Sequence, residues 1–106
     1  MPDVLTRLDT IIAARKASPN DDSYTASLLA KGSAKCAEKF GEEAVEAIIA
    51  AAKQDRSNLT GEAADVLFHL LVMLHASGLS LEDVTKELER REGTSGIAEK
   101  AARKTT

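Results

Sequence analysis

Asn58-Leu59-Thr60-Gly61-Glu62-Ala63-Ala64-Asp65-Val66-Leu67-Phe68-His69-Leu70-Leu71-Val72-Met73-Leu74-His75-Ala76 is the stretch that decides the fold. At about 100° per residue, Leu59, Ala63, Val66, Leu67, Leu70, Leu71 and Leu74 spread over half of a helical circumference. Phe68 and Val72 widen that apolar surface further. A helix this apolar belongs in a core, yet Glu62 and Asp65 lie within it. Buried carboxylates are rare unless paired or bound to metal. The stretch therefore asks for something cationic beside it.

Helical signals continue on both sides. Met1 to Ala17 carries Val4, Leu8, Ile11 and Ile12 at helical spacing, with Pro2 and Asp3 suited to a first turn. Ser18-Pro19-Asn20-Asp21-Asp22-Ser23 has the composition of a loop, and a short helix is expected from Tyr24 to Lys31, ending near Gly32. Ser33 is a candidate cap for a long helix reaching about Lys53, in which Val45, Ile48, Ile49 and Ala52 form the expected buried stripe. Gln54 to Ser57 reads as the polar turn before the Asn58–Ala76 helix. Gly78 suits the position just past that helix, and Ser80-Leu81-Glu82-Asp83 resembles a capping box opening a last helix to about Glu92. The division expected is an all-α domain over 1–93 and a basic C-terminal tail over 94–106, mobile without ligand.

Composition agrees with close-packed helices. Of 106 residues 43% are hydrophobic and 29% charged, but only 3% are aromatic, which disfavours a sheet. The single cysteine, Cys36, has no partner for an internal disulfide, and it reads as a small helix residue. With no signal-peptide pattern, a cytoplasmic setting is expected. Ala63 to Ala76 is too short and too interrupted to span a bilayer. A net charge of −3 argues against a nucleic-acid binder working by phosphate neutralisation, so neither nucleic acid nor membrane is an expected partner.

The chemistry concentrates in two carboxylate pairs. Glu43-Ala44-Val45-Glu46 puts two acids on one helix face, and Glu62-Ala63-Ala64-Asp65 does the same on the next helix. A short turn between the helices makes an antiparallel hairpin in which the pairs converge. Four hard oxygen ligands without cysteine suit Mg²⁺, or Mn²⁺, better than Zn²⁺. An E-x-x-E pair by itself equally describes a solvated helix face, and Lys39 with Glu43 is a candidate i, i+4 ion pair. Glu42 is a candidate outer carboxylate or general base. His69, one turn past Asp65, either supports a ligand from behind or bonds a carbonyl. His75 reads as structural.

This pattern, E-x-x-E then E-x-x-D across a turn, resembles the MazG-like all-α NTP pyrophosphatases. Longer blocks narrow it. Ser23-Tyr24-Thr25-Ala26-Ser27-Leu28-Leu29-Ala30-Lys31-Gly32, Lys39-Phe40-Gly41-Glu42-Glu43-Ala44-Val45-Glu46 and Glu62-Ala63-Ala64-Asp65-Val66-Leu67-Phe68-His69-Leu70-Leu71-Val72 are similar to the signatures of the phosphoribosyl-ATP pyrophosphatase family. So are Gly78-Leu79-Ser80-Leu81-Glu82-Asp83-Val84 and the tail Ser95-Gly96-Ile97-Ala98-Glu99-Lys100-Ala101-Ala102-Arg103. Phe40 and Ala102 depart from it, standing where the family more often has a smaller aliphatic residue and a serine.

The resemblance implies hydrolysis of 1-(5-phosphoribosyl)-ATP to 1-(5-phosphoribosyl)-AMP and pyrophosphate, the second step of histidine biosynthesis, in a stand-alone form. It implies Mg²⁺ on Glu43, Glu46, Glu62 and Asp65, with Glu42, Glu43 and Glu46 in the catalytic group. Lys31, Lys39, Arg91, Lys100 and Arg103 are the expected phosphate contacts, and Lys35 is as suited to solvent as to that role. A homodimer or higher even oligomer is expected, two hairpins completing a four-helix bundle. The competing readings are a house-cleaning nucleoside triphosphate pyrophosphatase of the same superfamily and a non-enzymatic helical dimerisation module.

Overall fold

The computed structural model describes residues 3–18, 20–93 and 103. Five helices follow one another: α1 (Val4–Ala17), α2 (Tyr24–Ala30), α3 (Ser33–Ala52), α4 (Arg56–Ala76) and α5 (Leu81–Arg91). No strand occurs among the described residues, so the chain is all-α as its composition implies.

Local chemistry sets most of the boundaries. Asp3 caps α1 by accepting the Thr6 N–H at 2.8 Å. Ser23 caps α2 through Ala26 N–H. α3 is entered through Gly32, not capped by Ser33: Gly32 has φ +93°, a conformation glycine adopts freely, and it offers no capping side chain. α4 begins two residues before the expected Asn58, because Asp55 accepts the Asn58 N–H at 3.2 Å and starts the helix at Arg56. The α3–α4 connection is thus only Lys53, Gln54 and Asp55. It closes as a Schellman motif, with Asp55 N–H donating to Ala50 O and Gln54 N–H to Ala51 O. The same motif ends α4, with Gly78 at φ +81° in the predicted position.

α3 and α4 pack along each other as an antiparallel hairpin, and α1 and α2 lie against the C-terminal half of α4. The core is Ile12, Leu28, Cys36, Leu71 and Val72, with Leu8, Leu29, Phe68, Met73, Leu74 and Leu81 packed around it. Cys36 Sγ donates to Leu28 O at 3.2 Å, and burial pushes its thiol pKa up. It is a packing residue and not a nucleophile. At 21 residues α4 is longer than the apolar run Ala63–Ala76, and by length and hydropathy alone it reaches the membrane-spanning range. Its carboxylates and its packing against three other helices make it the central helix of a bundle.

The expected buried stripe of α3 is not buried within one chain. Val45 is 54%, Ile48 65% and Ile49 47% exposed, and Leu67 of α4 is 43% exposed. The reason is geometric: α1, α2 and α5 gather around the end of the hairpin that holds Leu71 and Val72. Val45, Ile48 and Ile49, nearer the turn, and Leu67 at mid-helix are left largely open among the described residues.

One polar network ties three helices together. Asp9 of α1 accepts both His75 Nε2–H at 2.7 Å and Leu81 N–H at 3.0 Å, while Lys16 Nζ donates to His75 O. His75 is buried, as a structural histidine. Asp9 thus fixes α1 to the end of α4 and caps α5, where Asp83 also accepts Ser80 N–H. Asp9→Ala leaves two donors unpaired, and a loss of about 1–3 kcal/mol is expected in urea unfolding. A change within about 0.5 kcal/mol, the range of an ordinary surface substitution, would deny the network this role.

Candidate active site

The hairpin brings the two acidic pairs together midway along its length. Carboxylate oxygens of Glu43, Glu62 and Asp65 all lie within 4.8 Å of one another. Glu46 completes the group, lying close enough to raise the pKa of both Glu43 and Glu62. All four acids singled out in the sequence therefore meet, although not as deeply as expected. Glu43 and Glu62 are half-buried, whereas Glu46 and Asp65 are exposed. Asp65 sits N-terminal to the covered half of α4, at the mouth of the group.

Electrostatics mark the group as incomplete on its own. Burial raises the Glu43 pKa, and the neighbouring carboxylates of Glu46, Asp65 and Glu62 add to it. Burial also raises Glu62, helped by Glu46 and Asp65. Glu62 Oε2 is buried with no hydrogen-bond partner. A buried carboxylate oxygen without a donor, facing three further acids, fits a hard divalent cation in both charge and donor type.

The surroundings sort the remaining candidates. Lys39 pairs with Glu42 at 3.4 Å, not with Glu43 as its i, i+4 spacing suggested, which leaves Glu43 free to face the cluster. That pairing raises the Lys39 pKa. Lys35 pairs with Glu38. Lys31 is exposed and ends α2. His69 is buried, with Nε2 4.0 Å from Glu43 Oε1 and Nδ1 without a partner. Burial lowers its pKa, so the imidazole behind Glu43 is neutral at neutral pH.

Arg91 is not brought to the cluster. Its Nε bonds Glu87 at 3.1 Å on α5, which packs chiefly on α1. Hydrogen bonds from Arg90 and Arg91 lower the Glu87 pKa to about 2. Lys100 and the expectation for the tail fall outside the described residues, apart from Arg103, which is exposed.

Sequence reasoning assigned no role to Tyr24. The residue is 59% exposed, and its ring lies beside that of His69, with centroids 6.4 Å apart, and that of Phe68, also at 6.4 Å with 19° between the planes. Its rarity was the available signal: it is the only Tyr in a chain with two Phe and no Trp.

An all-α hairpin converging E-x-x-E on E-x-x-D defines the class as MazG-like. Within that class, a family model for phosphoribosyl-ATP pyrophosphohydrolase matches residues 5–92, and the chain belongs to this family. It is 68% identical over 100 residues to the phosphoribosyl-ATP pyrophosphatase of Dinoroseobacter shibae, covering 94% of this chain and 98% of that one. The protein of the same name from Rhodobacter capsulatus is 66% identical, covering 93% and 96%. The one from Paracoccus denitrificans is 64% identical, covering 97% and 95%.

Raised carboxylate pKa values carry a definite sign. Between the ordinary carboxylate pKa and the raised one, the folded protein binds more protons than the unfolded chain, so stability falls as pH rises through that window. Metal-free protein is expected to lose thermal stability from about pH 4.5 upward as Glu43 and Glu62 ionise. Glu62→Gln should flatten that slope. Melting curves that rise over the same window, or the same slope in the variant, would contradict the assignment.

Proposed function

We propose that this chain hydrolyses 1-(5-phosphoribosyl)-ATP to 1-(5-phosphoribosyl)-AMP and pyrophosphate, the second step of histidine biosynthesis. Membership of the family over residues 5–92, joined to a carboxylate cluster suited to a phosphate-bridging cation, carries this reading. No observation favours a house-cleaning substrate or a non-enzymatic module.

The reaction is an in-line attack of water on the α-phosphorus, with pyrophosphate leaving, and it is served mainly by positioning and charge neutralisation. Glu43, Glu46, Glu62 and Asp65 would hold Mg²⁺ or Mn²⁺, which when bound supplies Lewis-acid polarisation of the phosphate oxygens. The hairpin contributes pre-organisation: the two paired helices bring the four acids together before substrate arrives. His69, neutral and buried, sits behind Glu43 and limits its rotation. Glu42, exposed and adjacent in sequence to Glu43, would take the proton from the attacking water, and Lys39, paired with it at 3.4 Å, would neutralise substrate phosphate. Lys31, with Lys100 and Arg103 from the tail, adds charge to the phosphates. Arg91 joins them only by exchanging Glu87 for substrate.

The unit we infer is a cytoplasmic homodimer or higher even oligomer. Val45, Ile48, Ile49 and Leu67 form an apolar face that a second hairpin would cover, giving a four-helix core. If so, thermal stability rises with protein concentration, and Ile48→Glu abolishes that dependence. A concentration-independent, active monomer in sedimentation would refute it.

The catalytic reading is tested by Mg²⁺-dependent pyrophosphate release from phosphoribosyl-ATP. Glu62→Gln and Asp65→Asn are expected to lose at least about a hundredfold in kcat/KM, on the scale of removing a transition-state charge stabiliser, while the helical circular dichroism persists. Near-native turnover in either variant would remove the carboxylates from the mechanism.

A further inference from the structure

Phosphoribosyl-ATP differs from ATP by a 5-phosphoribosyl group on N1 of the adenine. A purine alkylated at N1 carries positive charge on its ring until that ring loses a proton. Recognising this substrate takes a group that binds a flat, electron-poor ring near the carboxylates. Aromatic faces do it well, by stacking and by attraction of a cation to the ring quadrupole.

The chain has three aromatic residues, Tyr24, Phe40 and Phe68. Phe40 and Phe68 are partly buried, and Phe68 is packed against the core. Tyr24 alone presents most of its surface to solvent. Its ring is nevertheless held in place, nearly parallel to Phe68 and edge-on to His69. The same imidazole has its Nε2 4.0 Å from Glu43 Oε1. The backbone beneath is fixed too: Arg15 pairs with Asp21 at 3.1 Å, Asp21 accepts Ser23 N–H at 2.8 Å, and Ser23 caps the helix that Tyr24 begins. Lys39 lies within electrostatic reach of the phenol. A nucleotide with phosphates at the carboxylates and Lys39 would extend its sugar and base along the surface that Tyr24 occupies.

We propose that Tyr24 is the base-recognition residue, a platform on which the adenine stacks, and that its electron-rich face selects the N1-ribosylated ring over plain adenine. This rests on the functional reading above and adds substrate discrimination to it.

As the only Tyr, in a chain without Trp, Tyr24 gives one set of tyrosine ring resonances. Full-length protein with ring-labelled tyrosine and Mg²⁺ is titrated with 1-methyladenosine 5′-monophosphate, AMP and pyrophosphate. Both nucleotides are expected to move the ring resonances upfield, the methylated one at lower concentration, and pyrophosphate to leave them in place. In steady-state assays Tyr24→Ala and Tyr24→Leu should raise the KM for phosphoribosyl-ATP by about 5- to 150-fold with kcat little changed, the range of a lost base–aromatic stack. Tyr24→Trp should restore the KM. A merely structural ring would lower the melting temperature without splitting KM from kcat. Unmoved resonances with both nucleotides in a wild-type enzyme that turns over, or a KM within twofold in Tyr24→Ala, overturn this inference alone. Wild-type protein that releases no pyrophosphate overturns the functional reading and this inference with it.

Discussion

Four carboxylates on two facing helices repel one another, and the α3–α4 hairpin has to hold them together against that repulsion. Glu43 and Glu62 respond as burial and like charge dictate, by holding protons more tightly. Glu62 Oε2 has no donor to satisfy it. Such a group is costly in a scaffold built only for stability. A scaffold that delivers a divalent cation to phosphate needs it, because pre-assembled ligands avoid reorganisation when substrate binds.

The division of labour along the hairpin follows. At one end Leu71, Val72 and Cys36 meet α1 and α2 in the buried core, and the Asp9–His75 contact locks α1 onto α4. Midway, Glu43, Glu46, Glu62 and Asp65 converge. Toward the turn, Val45, Ile48 and Ile49 remain uncovered. Stability is thus gathered beside the acidic group and not within it. In this way a small domain keeps a strained polar site without losing its fold.

The sequence made the helices and the acidic pairs readable because both rest on short-range spacing. Glu62 and Asp65 stood out as charges within an apolar run, and a short turn was enough to bring them to Glu43 and Glu46. What could not be read depended on contacts between distant segments. His75 and Asp9 are 66 positions apart, and nothing local marks them as partners. Lys39 could reach Glu42 or Glu43, and only the helix surface decides for Glu42. The apolar period of α3 correctly reported a face that avoids water. It could not report that no other helix among the described residues covers that face. Asp65 was assigned a buried position from its neighbours in sequence, whereas its own exposure depends on where α1 and α2 stop.

The central claim is that the four acids act together as a divalent-cation site, and direct metal binding tests it apart from turnover. Mn²⁺ is titrated into the protein and free Mn²⁺ followed by electron paramagnetic resonance, with wild type and Glu62→Gln compared at the same pH. Saturable binding by the wild type, weakened at least about tenfold in the variant, is the predicted result. Equal Mn²⁺ affinity in the two proteins would contradict the account.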